Sequence, residues 1–364
     1  MGVTILPRFP MDRWPLMQAF LARRYRPDLA LCNREMFVWF FRASTGSAEI
    51  VSAWDGDRLI GTMGYIAGPV FWGRFDEPQD GAWLVNWVVD PDYRHGVGIA
   101  LMREVQARFP VLLGIGAGAE NERIVARLRW AIFPNIPRYV AVLGREQSEA
   151  LAFPGAASDV PSAVAVRDGA ERALRSWRPD DPAPAWERYA PLIYGTVRSS
   201  AYLRWRYLEH PVFRFEIVAT GSPAAPAIAV YRVERAQGTG IPVGRVMEFF
   251  HPGDPGGSAA GVDLARALLA RFRDAGCAFA DFVCSSTAYG ATLAEAGWTF
   301  EDPQRAALPV RLQPVERATF RYNLEYGAAS GLARPELGVA YVTRGDGDAD
   351  RPARSEDEVR VSNA

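Results

Sequence analysis

The sequence of 364 residues contains no lysine, so all 41 of its basic residues are arginine. We attribute this bias to a GC-rich genome. Histidine is almost as scarce, and its three copies are too scattered to form the closely spaced ligands of a zinc site. The three cysteines, Cys32, Cys277 and Cys284, also lack metal-ligand spacing, and an odd, unpatterned set is typical of reduced thiols in a cytosol. We therefore expect no metal and a cytoplasmic location.

Long apolar runs and an excess of one charge are missing as well. No stretch approaches the roughly 20 apolar residues of a membrane span, and proline and charge interrupt the first apolar stretch, unlike in a signal peptide. A net charge of −1 argues against a general nucleic-acid or anionic-membrane partner. A hydrophobic content of 49% indicates a globular protein, and the length suffices for two domains.

One stretch, residues 83–104, reads as a strand, a tight glycine turn and a helix. Residues 83–89 are aromatic and β-branched, which favours a buried strand, and an Asp-Pro-Asp turn ends it. Gly96 and Gly98 follow, and apolar residues then recur at helical spacing over residues 101–109. This is either an ordinary strand–turn–helix joint or, because unpaired N–H groups crowd a helix start, a site for a pyrophosphate.

Residues 89–102, Val-x-Pro-x-Tyr-Arg-x-Gly-Val-Gly-x-Ala-Leu-Met, resemble the acetyl-CoA motif of the GNAT N-acyltransferase superfamily. The resemblance implies a bulged strand that frees backbone groups for the pantetheine arm, and a helix start that holds the pyrophosphate. One residue separates the arginine from the first glycine, where the family usually has two. The acyl-CoA contacts so implied are Val88, Val89, Arg94, His95, Gly96, Val97, Gly98, Ile99, Ala100 and, at the start of a later helix, Asn121. Leu128 stands where the family often has a tyrosine that protonates the leaving thiolate.

The order of predicted elements over residues 1–145 is helix, hairpin, strand–turn–helix, strand–helix and strand, which resembles the GNAT fold. The pattern starts again after a linker at residues 146–164, and Trp39 and Trp205 occupy matching places 166 positions apart. We therefore expect an α+β protein with two tandem GNAT-like domains, residues 1–145 and 165–350. Each would be a mixed, mostly antiparallel sheet flanked by helices, and residues 351–364 would form a flexible tail.

The second copy lacks the phosphate turn. Its corresponding stretch, residues 253–261, carries no arginine and has Asp254 and Asp263 nearby, which would repel a pyrophosphate. We expect one acyl-CoA site per chain, in the first copy, with the second copy forming a wall of the acceptor pocket.

Three residues on the two matching strands are candidates for the chemistry. Asn86 orients a water or the substrate, or is simply a buried amide. Glu248 is either a general base or the partner of Arg245 or Arg232 in a structural ion pair. His251 is either a base suited to neutral pH or a surface residue before a proline turn.

Three further residues are candidates for substrate binding. Arg204 and Arg206 lie either on a solvated helix face or against a phosphate, which guanidinium groups match. Asp346 opens an acidic loop, residues 346–350, that could face an amine. The loop imitates the start of an EF-hand, but Arg351 stands where that motif needs glycine, which disfavours calcium.

Together these features predict an acyl-CoA-dependent N-acyltransferase, with acetyl-CoA as the expected donor and no covalent enzyme intermediate. The acceptor would be the amine of a small metabolite or amino sugar, because the layout is similar to acyltransferases encoded among bacterial sugar genes. The alternatives are a FemX-like aminoacyl transferase and a catalytically inactive CoA-binding sensor or scaffold. We expect a monomer or homodimer with neither nucleic-acid nor membrane partners.

Overall fold

The computed structural model describes residues 2–43, 46–71, 78–93, 96–116, 118–178, 188–189, 195–315, 323–328 and 336–348. These residues form two seven-stranded sheets, a two-stranded ribbon of Phe9–Pro10 and Ser47–Ala48, and helices on the sheet faces. The mixed α/β class expected from the sequence is confirmed. The predicted flexible tail, residues 351–364, lies outside the described residues.

The helices occur close to where apolar periodicity predicts them. They are Trp14–Arg24, Arg34–Phe40, Val97–Gln106, Ala119–Arg127, Arg145–Leu151, Ser200–Leu203 with a π-helical extension Arg204–Leu208, Pro255–Asp274 and Thr287–Glu295. Short 3-10 turns are Met11–Arg13, Ala30–Cys32, Pro91–Tyr93, Ala157–Asp159, Ala170–Ala173 and Arg344–Asp346. No helix among the described residues is long and apolar enough to cross a membrane.

The first sheet is antiparallel except at one point. Its strands, in spatial order, are Val3–Leu6, Ile50–Asp55, Arg58–Val70, Gln79–Val89, Val111–Ile115, Leu324–Ala328 and Ala131–Phe133. Gln79–Val89 and Val111–Ile115 form the parallel pair. Side chains alternate between two faces, so Leu113 packs with the first two helices while Leu112 packs beneath Val97–Gln106. Both faces are therefore covered.

The second sheet repeats this order of pairing. Its strands are Arg175–Ser176, Glu216–Thr220, Ala227–Arg235, Pro242–Phe250, Phe279–Val283, Arg138–Val142 and Thr299–Phe300. Pro242–Phe250 and Phe279–Val283 again form a parallel pair. Helix Pro255–Asp274 buries a stripe that includes Leu264, Leu268 and Phe272 against the sheet.

The two sheets exchange strands. Arg138–Val142, which we expected to be the last strand of the first sheet, pairs instead with Phe279–Val283 in the second. Leu324–Ala328, here called the inserted strand, returns from the second half of the chain and lies between Val111–Ile115 and Ala131–Phe133 in the first sheet. Each sheet is completed by the other half of the sequence.

Buried charge explains why strand Arg138–Val142 belongs to the second sheet. The Arg138 guanidinium is buried and lies 2.8 Å from the Asp281 carboxylate and 2.7 Å from Glu301. Burial alone would raise the pKa of Asp281, but Arg245, Arg344 and Arg138 surround it and hold that pKa far below its usual range. A buried arginine without these partners would be costly. The ion pairs, as well as the apolar residues of the strand, therefore favour its pairing with the second sheet.

The predicted linker, residues 146–164, is also not a loose connection. Its first six residues belong to helix Arg145–Leu151, and Leu151 is fully buried with Val142 and Phe279 against the second sheet. A composition rich in glycine, alanine and proline is typical of flexible linkers. Here, however, the buried side chains of Leu151 and Val160 anchor the segment.

Trp39 and Trp205 meet between the two halves of the chain. The Trp39 indole donates a hydrogen bond to the Trp205 carbonyl at 2.9 Å, and the Trp205 indole donates to the Trp39 carbonyl at 3.2 Å. Their ring centroids lie 5.6 Å apart. This reciprocal contact joins two residues that the sequence pattern had matched.

Candidate active site

Two strands of the first sheet separate and open a cleft. Strand Gln79–Val89, here called the bulged strand, pairs with Val111–Ile115 only at residues 81–84. Its register against its antiparallel neighbour shifts between Thr62 and Gly64, where the bulged strand contains one extra residue. Asn86 lies in this bulge with φ at +51°, which turns its N–H out of the ladder. An N–H group freed in this way can polarise a carbonyl group placed in the cleft.

The pocket between the separated strands is a cleft that is partly open to solvent and has a cavity volume of about 100 Å³. It is lined by Tyr25, Leu84, Val85, Asn86, Trp87, Gly114, Ile115, Gly116, Gly118, Asn121, Val125, Trp130, Glu325 and Asp348. Polar groups thus converge on the cleft from the bulged strand, a helix start, the inserted strand and the C-terminal segment, residues 336–348.

A helix begins beside this pocket. Val97–Gln106 starts at Gly96, which has φ at +89°, and no side chain of the described residues caps its first N–H groups. A Cβ atom built on Gly98 would lie 3.3 Å from the Trp87 indole nitrogen, and Trp87 lines the pocket. The indole therefore lies close to this backbone, and a side chain at position 98 would need Trp87 to shift by a few tenths of an ångström. The uncapped helix start and the pocket are therefore neighbours, which suits a phosphate-bearing ligand.

The other predicted cofactor contacts differ in their burial and in their position relative to the pocket. Asn121 lies near the start of helix Ala119–Arg127 and lines the pocket. Val88 and Val89 are half-buried and pair with the neighbouring strand beyond the bulge. In the helix start, Val97 is buried and Ile99 is exposed, and the N–H of Ala100 donates to the Gly96 carbonyl. Arg94 and His95 lie outside the described residues.

Glu248 is not in the pocket. Its side chain is completely buried and accepts hydrogen bonds from Arg198 at 3.2 Å, from the Tyr207 hydroxyl at 2.6 Å and from the Tyr341 hydroxyl at 2.8 Å. The ion pair therefore involves Arg198 and neither Arg245 nor Arg232, the partners we expected. A β-bulge does occur next to Glu248, but both carboxylate oxygens are already occupied.

His251 differs from the expectation too, because it is buried rather than at the surface. Its Nδ1 lies 2.8 Å from the Pro252 carbonyl and its Nε2 lies 2.9 Å from the Thr292 hydroxyl. Burial lowers the pKa of the imidazole, so the ring is held neutral as a structural link between a strand end and a helix. It lies outside the pocket lining.

The predicted substrate-binding residues anchor the C-terminal segment. The Arg206 guanidinium is buried rather than on a solvated face, and it donates to the carbonyls of Gly345 at 2.9 Å and Gly347 at 2.6 Å. Asp346 accepts from the Arg198 guanidinium at 2.8 Å and from the Thr196 hydroxyl at 2.9 Å. Arg204 is exposed. The two buried side chains hold this segment in place rather than lining the cleft.

This anchoring delivers Asp348, which our sequence reasoning named only as part of an acidic loop, to the pocket. Its carboxylate accepts a long hydrogen bond of 3.4 Å from the Asn86 N–H in the bulge. The segment therefore brings a negative charge to the backbone donor that the bulge exposes. No pattern in the sequence linked residues 86 and 348.

Glu325 in the inserted strand was missed altogether. It lines the pocket, is 2% exposed, and its Oε1 atom has no hydrogen-bond partner among the described residues. Burial and the nearby Glu122 carboxylate raise its pKa to about 8. The available signal was a lone carboxylate inside the short apolar run LEYGA, which is costly to bury without a purpose. Among the described residues, no cluster of three or more side chains suited to a metal ion occurs.

Solved structures identify the class of fold. A GCN5-related N-acetyltransferase from Anabaena variabilis is similar with a TM-score of 0.54 and 13% identity, over 89% of this chain and 72% of that one. A protein from Pyrococcus horikoshii that is described as a candidate acetyltransferase has a TM-score of 0.50 and 11% identity, over 94% of this chain and 93% of that one. The Saccharomyces cerevisiae N-myristoyltransferase, solved with bound myristoyl-CoA, has a TM-score of 0.51 and 11% identity, over 94% and 84%.

The chain thus has the fold of the GCN5-related N-acetyltransferases, as the glycine-turn resemblance predicted. At such identities the likeness concerns the fold, so activity has to be argued from the cleft. No family model matches the sequence. No curated protein sequence matches it either.

Proposed function

We propose that the protein is an acyl-CoA-dependent N-acyltransferase that works in the cleft beside the bulged strand. The observation that carries this proposal is the bulge at Asn86, whose N–H faces a pocket that adjoins an uncapped helix start. An acyl-CoA molecule supplies a reactive thioester and a pyrophosphate, and the two features suit these groups. The Asn86 side-chain nitrogen, which is buried and has no hydrogen-bond partner among the described residues, is a further donor.

In this proposal the chain binds the acyl-CoA and polarises its thioester, and it forms no covalent intermediate with the acyl group. The backbone N–H groups at Gly96–Gly98 hold the pyrophosphate. The thioester oxygen shares the Asn86 N–H with the Asp348 carboxylate, to which that N–H donates a long hydrogen bond of 3.4 Å, and the N–H stabilises the negative charge that develops on this oxygen. The incoming amine attacks the carbonyl carbon directly. Asp348 lies beside that oxygen site and is the pocket carboxylate best placed to take a proton from the amine.

We assign this role to Asp348 because it lines the pocket, whereas the two earlier acid–base candidates do not. Glu248 and His251 are buried in hydrogen bonds to their own neighbours and do not line the pocket. Asn86 keeps a role through its N–H and amide. The proposed acyl donor is acetyl-CoA, and the proposed acceptor is the amine of a small metabolite or amino sugar.

The corresponding cleft in the second half is filled by the protein itself. The Phe249 N–H donates to the Tyr341 hydroxyl at 3.0 Å, and the Tyr341 ring packs on Tyr289 with centroids 5.3 Å apart. The helix Pro255–Asp274 is capped by the Asp254 side chain, which accepts from the Gly257 N–H at 2.8 Å. A carboxylate and a tyrosine thus take the places that a pyrophosphate and a thioester would need. We infer one acyl-CoA site per chain.

A pair of matched variants tests the location. Gly98→Trp places a bulky ring at the first helix start, beside Trp87, and we expect calorimetry to show loss of acetyl-CoA binding. Such a loss forfeits several charge-assisted hydrogen bonds of roughly 1.5–3 kcal/mol each. Gly256→Trp is the control, because this glycine opens the matching helix of the second half and meets only the Asp254 side chain. Equal binding by both variants and the wild type would place the cofactor elsewhere.

Activity is then measured as thiol release from acetyl-CoA with a panel of amines, including amino sugars. Release that depends on an amine supports the transferase. Binding without release by any amine indicates the sensor or scaffold. Failure to bind acetyl-CoA, together with transfer from an aminoacyl donor, indicates the aminoacyl transferase.

A further inference from the structure

Glu325 has a placement that packing does not account for. The inserted strand sets it opposite Gly114 on one side and Ile132 on the other. A Cβ atom built on Gly114 would lie only 2.6 Å from the Glu325 Oε2 atom, so the carboxyl group lies directly over the backbone of residue 114. Both residues line the pocket. The absence of a side chain at position 114 is what gives the carboxyl group its room.

The surroundings of this carboxyl group favour its neutral form. The adjacent strands Val111–Ile115 and Ala131–Phe133 contain no charged residue. The helix Ala119–Arg127 contributes Glu122, which together with burial raises the pKa of Glu325 to about 8, while the arginines of that helix are exposed. Across the pocket lie the side chains of Tyr25 and Asp348. No arginine is among the described residues that line the pocket, so no positive charge on these walls compensates a negative charge at Glu325.

The two pocket carboxyl groups approach from opposite faces of the sheet. Glu325 lies over Gly114, on the face where Leu112 packs beneath the glycine-opened helix Val97–Gln106. Asp348 follows Gly347, whose position touches Ile115, a residue of the opposite apolar cluster. A ligand whose phosphates lie at that helix start extends along the Glu325 face. Its sulfur would therefore pass near Glu325, and the acceptor amine would meet Asp348.

We propose that Glu325, in its protonated form, is the catalytic acid that donates a proton to the thiolate of coenzyme A as it leaves. This inference rests on the proposed acyltransferase function and assigns the role for which the sequence offered no tyrosine at position 128. The amine nitrogen forms a bond to the carbonyl carbon, the C–S bond breaks, and its electron pair goes to sulfur. The Glu325 proton then moves to that sulfur. The proton lost by the attacking amine passes through Asp348 to solvent, and solvent returns one to Glu325.

The proton donor and the leaving thiol have similar pKa values. An ordinary thiol has a pKa of about 8.5, so an acid of pKa about 8 exchanges a proton with it at little cost. An acid matched to the leaving group in this way works well in general acid catalysis. An ordinary glutamate would be ionised at neutral pH and could not donate.

The first test compares the wild type with Glu325→Gln, which keeps the shape and removes the proton. We expect kcat to fall about 10²-fold, with acetyl-CoA affinity within about twofold of the wild type. The wild-type kcat should decline as pH rises through about 8, because the acid is lost, and the variant should lack this decline. A variant with normal kcat and the same alkaline decline would overturn the inference.

The second test does not depend on turnover. Infrared difference spectra, wild type minus Glu325→Gln, should show the carbonyl band of a protonated carboxylic acid at pH 6 that disappears with a midpoint near pH 8. Glu122→Gln should move this midpoint to lower pH, because it removes the neighbouring negative charge. A carboxylate already ionised at pH 6 would refute the proposal even if the protein proves to be a transferase. If the band titrates near pH 8 but no amine releases thiol from acetyl-CoA, the proposed function fails and the catalytic role falls with it.

Discussion

The substitution Glu248→Gln tests whether this carboxylate is catalytic or structural. Glu248 lies on Pro242–Phe250, the strand of the second half that matches the bulged strand. In the folded protein Glu248 accepts from the Arg198 guanidinium through both oxygens, and from the hydroxyls of Tyr207 and Tyr341. The substitution removes the charge and replaces one acceptor oxygen with an NH2 group. That group faces donors, so at least one hydrogen bond is lost and Arg198 keeps only its contact to Asp346 as an ion pair.

The magnitude follows from these contacts. Removing one partner from a buried ion pair usually costs about 3–5 kcal/mol. We expect about 3 kcal/mol here, because Arg198 still donates to Asp346 and to the Thr196 carbonyl at 2.9 Å. For a unit the size of one half of this chain, that loss lowers the melting temperature by about 6–12 °C. The folded fraction should keep its kcat within a few fold, because Glu248 does not line the pocket.

The measurement is urea unfolding and thermal unfolding, paired with kcat at a temperature where both proteins are folded. The matched control is Glu216→Gln. The Glu216 carboxylate also accepts from a tyrosine hydroxyl, that of Tyr231 at 2.7 Å, but its side chain is 58% exposed. We expect this control to change stability by about 0.5 kcal/mol or less. A Glu248→Gln protein of unchanged stability whose kcat falls about 10²-fold would refute the reasoning and restore Glu248 as a base.

Three further predictions follow from the structure. Glu325→Gln should match the wild type in stability near pH 4.5 and exceed it above pH 8, by about 5 kcal/mol at most, in urea titrations at both pH values. The folded pKa is raised from 4.5 to about 8, so the wild type loses stability across that window as the buried group ionises. Asp348→Asn should lower kcat about 10²-fold with little change in acetyl-CoA affinity by calorimetry, since it removes the proposed proton acceptor but not the Asn86 N–H; unchanged kcat would move that role elsewhere. Arg138→Met should destabilise the protein by about 3 kcal/mol in urea unfolding, because Glu301 loses a buried partner at 2.7 Å; a loss below about 1 kcal/mol would mean that the exchanged strand does not depend on this ion pair.

The helices and most of the strands could be predicted from the sequence, because they depend on local patterns. Apolar residues at helical spacing mark Val97–Gln106, and the aromatic and β-branched run marks the bulged strand. The glycine turn between them led to the fold class through its resemblance to the acetyl-CoA motif. The Trp87 ring lies close to Gly98, a contact that the sequence pattern did not reveal.

The placement of the strands in sheets could not be predicted in the same way. A strand pattern says which face of a strand is apolar, but it does not name the neighbour to which the strand bonds. Arg138–Val142 therefore looked like the close of the first sheet, and only the partners Asp281 and Glu301 show why it belongs to the second. The inserted strand comes from the second half of the chain but pairs within the first sheet. Glu325 is therefore in the pocket although it is distant in the sequence from the other strands of that sheet.

The candidate site shows the same division between local and long-range information. The sequence by itself determined the strand and the glycine turn, because each is a pattern of neighbours along the chain. Through their resemblance to the acetyl-CoA motif, these two features also implied the bulge and the fold class. Only the tertiary structure decided which carboxyl groups face the cleft. Glu248 on the matching strand is held by Arg198 and two tyrosines, whereas Glu325 and Asp348 enter the pocket on opposite faces. Burial and hydrogen bonding are properties of the folded surroundings, so a carboxylate's role cannot be read from its place in the chain alone.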